Sequence, residues 1–301
     1  MLQRLVLAPA SDGAAAMTAV ATNPALQRHR LRTGLKKART AAGLTQRDVA
    51  DDLDWSASKV IRIEKGDVGV SRTDLKALVE KYEIVDRFDE LVELARGSKK
   101  QPWAEYSDIL SAESRRFFGY EASASIIRQC ETSLIPGLLQ TEDYTRVILT
   151  DVYGLKPSET ERHIDVRRQR QQVLEPSPEA PEAFFVLGES VLRWAVGGQA
   201  VMRRQLKRLE EMAERARVTI RILPFSVGAN FAMRGPFVYL EFADEDDPNV
   251  LYLENAAGEK MYRDDPQAIE PYRKGFQMLE KQVSPDEIGT QVKRAPQELG
   301  R

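Results

Sequence analysis

Gly43-Leu44-Thr45-Gln46-Arg47-Asp48-Val49-Ala50-Asp51-Asp52-Leu53-Asp54-Trp55-Ser56-Ala57-Ser58-Lys59-Val60-Ile61-Arg62-Ile63-Glu64-Lys65-Gly66 decides how the first third of the chain folds. Thr45 with Asp48 three residues on has the form of a capping box, so a helix is predicted to begin there. Val49, Ala50 and Leu53 form its apolar side, and Asp54-Trp55 break it. A second helix follows at once, with Ser56 as N-cap, Val60 and Ile63 as its buried stripe, and Gly66 as a left-handed stop. Ala50 is small where the two helices must approach, and Ser58, Lys59 and Arg62 are left on the outer face of the second helix. Such a helix, tight turn and helix is the geometry of DNA-binding helix-turn-helix units.

In that arrangement the second helix enters the major groove with its N-terminal residues toward base edges, while the first sets its N-terminus against phosphate. Gln46, in the first turn of its helix, is suited to grip a phosphate together with free backbone N–H groups. Arg62 can bond guanine bidentately, Lys59 can reach guanine or phosphate, Ser58 can bond several base edges, and Ala57 offers a methyl to thymine. Arg47, Ser56, Lys65, Lys36 and Arg39 complete the expected contact surface with double-stranded DNA. The plain alternative is a helical hairpin in a bundle with these polar residues merely solvated.

Across about residues 31–95 the sequence resembles the Xre-type phage-repressor family of helix-turn-helix regulators. Gly43-Leu44-Thr45-Gln46, Val49-Ala50 and Ile63-Glu64-Lys65-Gly66 fall at that family's spacing. The resemblance implies a bridge between Arg39 and Glu64 that orients the site near the phosphates without reading bases. Trp55 departs from the smaller aliphatic residues usual in that turn.

Outward from this unit, 301 residues predict two domains, or three, at about 100–200 residues each. With 42% hydrophobic and 30% charged residues the chain is an ordinary globular protein and not a disordered one. Its longest apolar runs fall far short of the roughly 18 residues a membrane span needs. The single Cys130 excludes an internal disulfide, and with only His29 and His163 it leaves too few ligands for a Cys/His zinc site, so no metal or cofactor is expected. A reducing, cytoplasmic setting fits this usage. The net charge of −2 is uneven: residues 1–100 hold 18 Lys+Arg against 14 Asp+Glu, a net of +4. Arg28, Arg30, Arg32, Lys36, Lys37 and Arg39 follow one another with no intervening acid, a field that draws a polyanion unless it is only a solvated helix face.

Residues 1–23 lack periodicity and are expected to form a disordered leader, with Met17 as an alternative start. Five short helices are predicted between Leu31 and Arg96 within a DNA-binding domain spanning 24–100. The polar stretch Gly97-Ser98-Lys99-Lys100-Gln101-Pro102 is the expected joint to a domain at 101–290, with a tail at 291–301. In the second domain helices are predicted at about 103–117, 141–151, 159–174, 199–216 and 266–283. Strands are predicted at Ala183 to Leu187, Val218 to Leu223, Phe237 to Phe242 and Val250 to Leu253, so this domain is mixed α/β or α+β.

No catalytic constellation emerges after residue 100. Gly188-Glu189-Ser190 lacks the second glycine of a nucleophile elbow, His163 stands alone in an Arg-rich helix, and Cys130 reads as a packed thiol. Arg162, Arg167, Arg168 and Arg170 could receive an anion, although a charged helix face is the simpler reading. Leu134-Ile135-Pro136-Gly137-Leu138-Leu139-Gln140-Thr141-Glu142-Asp143-Tyr144, Arg167-Arg168-Gln169-Arg170, Leu192-Arg193-Trp194-Ala195-Val196-Gly197-Gly198 and Ile222-Leu223-Pro224-Phe225 resemble, in order and spacing, the C-terminal domain of actinobacterial Xre-type regulators called WhiJ-like or antitoxin-like. The resemblance implies a domain that responds to a small companion protein or small molecule.

The expectation is therefore a homodimeric transcriptional regulator and not an enzyme, because one recognition helix reads only a few base pairs. An antitoxin with autoregulatory DNA binding, or a phosphotransferase-like enzyme tethered to nucleic acid, are the alternatives. The missing histidine pair stands against the enzyme.

Overall fold

The computed structural model describes residues 24–65, 68–99, 103–244, 247–255, 258–263 and 265–283. The leader at 1–23, the tail at 291–301 and the helix stop assigned to Gly66 lie outside these residues, as does part of the joint at 97–102.

Two apolar cores organise the chain, one helical and one built on a sheet. Among the described residues the first comprises five helices: α1 (Pro24–Ala41), α2 (Gln46–Asp52), α3 (Ala57–Lys65), α4 (Arg72–Lys81) and α5 (Phe88–Gly97). Thr45 caps α2 through the full capping box, and Ser71 caps α4 by accepting from the Asp74 amide. Leu35, Val49, Ala50, Val60, Ile63, Leu75, Leu78 and Leu91 meet in the middle, each at most 3% exposed.

The helix α1 starts at Pro24, seven residues ahead of the first apolar position expected for it. Proline suits a first helical position, where its missing N–H costs nothing. The early turn is held because Leu26 packs into the core of the second domain, whereas Leu31 and Leu35 pack into the first. One turn beyond Leu26, Arg30 donates through Nε and Nη2 to the buried Asp247 carboxylate, the latter at 2.6 Å. A single helix thus belongs to both cores.

The second domain contains a six-stranded sheet of order β3-β2-β1-β4-β5-β6, formed by β1 (Ile126–Glu131), β2 (Glu182–Gly188), β3 (Val218–Leu223), β4 (Phe237–Glu241), β5 (Val250–Asn255) and β6 (Gly258–Arg263). β1, β2 and β3 run parallel, and β4, β5 and β6 continue antiparallel from the other edge of β1. The helices are α6 (Ala112–Glu121), α7 (Glu142–Val147), α8 (Pro157–Gln171), the single turn α9 (Ser190–Arg193), α10 (Gly198–Ala213) and α11 (Pro266–Gln282). One sheet face, with Ile127, Phe185 and Ile220, packs against α6, α8 and α10. The opposite face, with Cys130, Val186 and Leu251, packs against α11.

The helix predicted at 103–117 is replaced by a short turn at Ala104–Tyr106 and by α6, because Ser111 accepts from the Ser114 amide and starts the helix afresh there. The α7 helix widens over Ile148–Val152 into a π-type turn before it ends. Strands β1 and β6 were not expected. In β1 the face carrying Ile127 also carries Gln129 and Glu131, so the alternation of apolar and polar residues that marks a half-buried strand is absent.

Candidate DNA-binding surface

The turn between α2 and α3 is set by backbone chemistry. Asp54 takes a left-handed φ of 52°, which Asp tolerates better than bulkier residues, and the Trp55 N–H returns to the Ala50 carbonyl at 2.8 Å. Ser56 then opens α3 by accepting from the Lys59 amide at 3.2 Å.

In α3 the residues Val60, Ile63 and Glu64 turn inward. At 100° per residue, Ser58, Arg62 and Lys65 fall on one opposite stripe, and all three are exposed. Ala57 and Ser56 extend that surface at the N-terminal end, and Arg47 and Lys36 are exposed on the neighbouring helices.

The angle between the two helices is locked from inside. Glu64 has a side chain only 4% exposed, and Arg39 donates to it from Nε at 2.6 Å and from Nη2 at 3.1 Å. Gln46 Nε2 donates to the same carboxylate at 2.7 Å, and Arg39 Nη1 also reaches the Leu44 carbonyl at 2.6 Å. The bridge implied by the family resemblance is present, and Gln46 joins it. The hydrogen bonds to Glu64 hold the Arg39 proton more firmly than usual despite the cost of burial. At the helix start, hydrogen bonds from the Thr45 hydroxyl and backbone amide keep the Asp48 carboxyl below its ordinary range.

Lys59 is committed elsewhere. Its ammonium lies 3.6 Å from the centre of the Trp55 ring and 2.7 Å from Asp74 Oδ1. Although burial pushes Asp74 up, the bonds from Lys59 and Ser71 hold its carboxyl low. Trp55, in the turn ahead of the helix, therefore serves as a platform for Lys59. Leu53 packs at the margin of the core and is only half-buried. Of the basic run on α1, Arg28 donates to the Ser98 carbonyl, Arg30 to Asp247, Arg32 to the Lys65 carbonyl and Arg39 to Glu64. These arginines fasten α1 to its neighbours, which is neither an open anionic trap nor a merely solvated face.

In the second domain, Arg162 pairs with Asp108, Arg168 with Glu142 and Asp165, and Arg170 bidentately with the buried Glu121 at 2.8 and 2.9 Å. Arg167 differs in bonding the neutral Gln140. Cys130 is fully buried, and burial pushes its thiol up to about 12. Burial likewise pulls the His163 imidazole down. No described helix is long and apolar enough to cross a membrane.

Comparison with known proteins adds two matches. Residues 30–93 match a model described as Helix-turn-helix domain, which points to a DNA-binding regulator, and residues 114–290 match the Domain of unknown function (DUF5753). No curated protein and no solved structure matches the chain. With its helix-turn-helix unit in front and more than half of its length matched behind, the chain belongs to the DUF5753 family.

Proposed function

We propose that the chain is a sequence-specific transcriptional regulator of the Xre type, of the WhiJ-like kind, working in the cytoplasm. Residues 24–100 bind operator DNA, and residues 101–290 dimerise and receive a small companion protein or small molecule. The observation that carries this reading is the division of labour across α3. Glu64, Arg39 and Gln46 fix its angle from within, while Ser58, Arg62 and Lys65 stand uncommitted on the outside. In this reading Arg62 reads a base pair and Ser58 and Ala57 complete the readout. Arg47, Ser56, Lys36 and Lys65 hold phosphates, and Lys59 acts mainly through Trp55 and Asp74. Gln46 positions the helix pair, so its contribution is independent of base sequence.

The α1 helix supports a response to a signal. At 1.5 Å per residue it carries the chain about 20 Å from Leu26, in the second core, to Arg39, beside the recognition helix. A ligand shifts DNA affinity only if it binds two arrangements of the protein differently, and α1 gives both domains a shared rigid element.

Selection of duplexes from a random library by the whole chain tests the reading. The expected result is an enriched palindrome with half-sites about 34 Å apart. Enrichment of no motif would overturn it. A native mass spectrum of the protein isolated from its host separates the partners: two chains plus a small protein would identify a companion, and two chains plus a few hundred daltons an effector.

A further inference from the structure

We propose that a cavity at the junction of β1 and β4 binds a small organic monoanion, with its carboxylate on Arg167 and its apolar body against Phe117, Phe118 and Leu134. This deepens the effector reading above, and it is tested without DNA so that its failure leaves operator binding standing.

The cavity has a volume of about 450 Å³, within the usual range of roughly 300–1,000 Å³ for small-molecule sites. Its place follows from the topology. The parallel strands proceed from β1 to β2 and β3 on one side, and β4 adds on the other, so the strand order reverses beside β1. In open α/β sheets, ligands bind outside the carboxyl ends of the strands at such a reversal. Gln129 and Glu131, at the carboxyl end of β1, line the cavity, as do Tyr252 and Glu254 of β5.

Two sequence motifs converge there that the DNA-binding reading leaves unused. Arg167 comes from Arg167-Arg168-Gln169-Arg170, and the residues that hold it come from Leu134 to Tyr144. Its Nη1 donates to Gln140 Oε1 at 2.8 Å. Gln140 is in turn fixed, donating from Nε2 to the Ile135 carbonyl at 2.7 Å and accepting from the Thr145 hydroxyl at 3.0 Å. Gly137 lies against the guanidinium, and a Cβ there would fall 2.9 Å from Arg167 Cζ. The guanidinium is therefore placed on purpose-built contacts, and a neutral amide orients it without cancelling its charge.

Arg162, Arg168 and Arg170 each have a carboxylate. Arg167 makes no ion pair among the described residues, and its Nε and Nη2 carry no hydrogen bond there. Burial and the neighbouring Arg170 lower it to about 10, so it remains a cation at neutral pH. The nearby Glu131 is pushed up to about 8 by burial and is mostly protonated at neutral pH, able to donate to an anion instead of neutralising the cation. Glu259 is taken by the hydroxyls of Ser111 and Ser114, the latter at 2.5 Å. Glu254, which also lines the cavity, is pushed up by burial and by Glu259. Arg167 is thus a cation without an ion pair among the described residues, which suits one negative charge, and a dianion such as phosphate would meet more repulsion from Glu254 and Glu259. A planar carboxylate can take two parallel bonds from a guanidinium, and the aromatic walls take the rest of the molecule.

The test is calorimetric titration of the whole chain with benzoate, phenylacetate and octanoate, with the corresponding amides, and with inorganic phosphate. At least one carboxylate should bind one per chain with a Kd of about 1 mM or tighter. Its amide should bind at least about tenfold more weakly. Arg167→Gln should abolish the binding, and Arg168→Gln should leave it intact. Arg167→Lys, which keeps the charge but loses the planar fork, should weaken it, and this covers the case in which Arg167→Gln fails to fold. Equal binding of acids and amides, unchanged binding in both Arg167 variants, tighter binding of phosphate, or binding of no carboxylate would overturn the proposal.

Discussion

The two domains turn their uncommitted polar groups in opposite directions. In the helical domain the described core is apolar apart from His29, Glu64 and Ser98, and the free chemistry of Ser58, Arg62 and Lys65 faces solvent. In the sheet domain the surface arginines Arg162 and Arg168 are paired with carboxylates, and Arg167 and Glu131, bonded among the described residues only to the neutral amides of Gln140 and Gln129, line a cavity. A domain that reads a polyanion must present its charge outward, where a long ligand can dock. A domain that encloses a small ligand must keep its charge inside, where desolvation sharpens each contact. The contrast separates what each half can bind before any partner is known.

The largest effect should come from Val49→Asp. Val49 is wholly buried, so the variant forces a charge into the helical core and should abolish cooperative unfolding of that domain in urea. Leu53 shares the predicted apolar side of α2, but its half-buried position lets the carboxylate of Leu53→Asp reach water, and a clearly smaller loss should follow. If the two variants were equally damaging, the assignment of the core margin would fail.

Arg39→Ala comes next. It strands the buried Glu64 carboxylate, and losing one partner of such a pair costs about 3–5 kcal/mol. Denaturant titration should show that loss, and an unchanged midpoint would mean the cluster does not fix α2 against α3.

On the cavity side, Glu131 is pushed from 4.5 to about 8 in the folded chain. The folded state therefore holds a proton that the unfolded state has released between those values, and stability falls as pH rises through that window. Glu131→Gln should flatten the decline in melting temperature between pH 5 and 8. A variant with the wild-type slope would place the Glu131 carboxyl in water.

The smallest effect should come from Lys59→Ala. Its ion pair and ring contact are partly exposed, and their loss should cost about 1 kcal/mol or less of stability. Operator affinity should fall less than on removal of Arg62.

The same contrast explains how far the sequence could be read. Thr45 with Asp48, Ser56 before Val60, and the small Ala50 are local signals of caps and close approach, and α2 and α3 form where these signals stand. Lys59 was read as free because the sequence does not show that Trp55 and Asp74 reach it together. In the sheet domain, β2, β3, β4 and β5 carry β-branched and aromatic runs and were recognisable. β1, at the centre of the sheet, was not, because Gln129 and Glu131 occupy its cavity side where a strand of the core would carry apolar residues. Arg167 is likewise indistinguishable in sequence from its surface neighbours, because Gly137 and Gln140 meet it only in the folded chain.

The central claim is that the outer stripe of α3 reads DNA through Arg62. The direct measurement is the affinity of wild type and Arg62→Ala for a selected operator and for each of its single-base variants, at fixed salt. The account predicts a loss of about 1–3 kcal/mol on the operator, with discrimination vanishing at one position of each half-site and persisting elsewhere. Equal affinity of the two proteins, or a uniform loss that leaves every base preference intact, would contradict it.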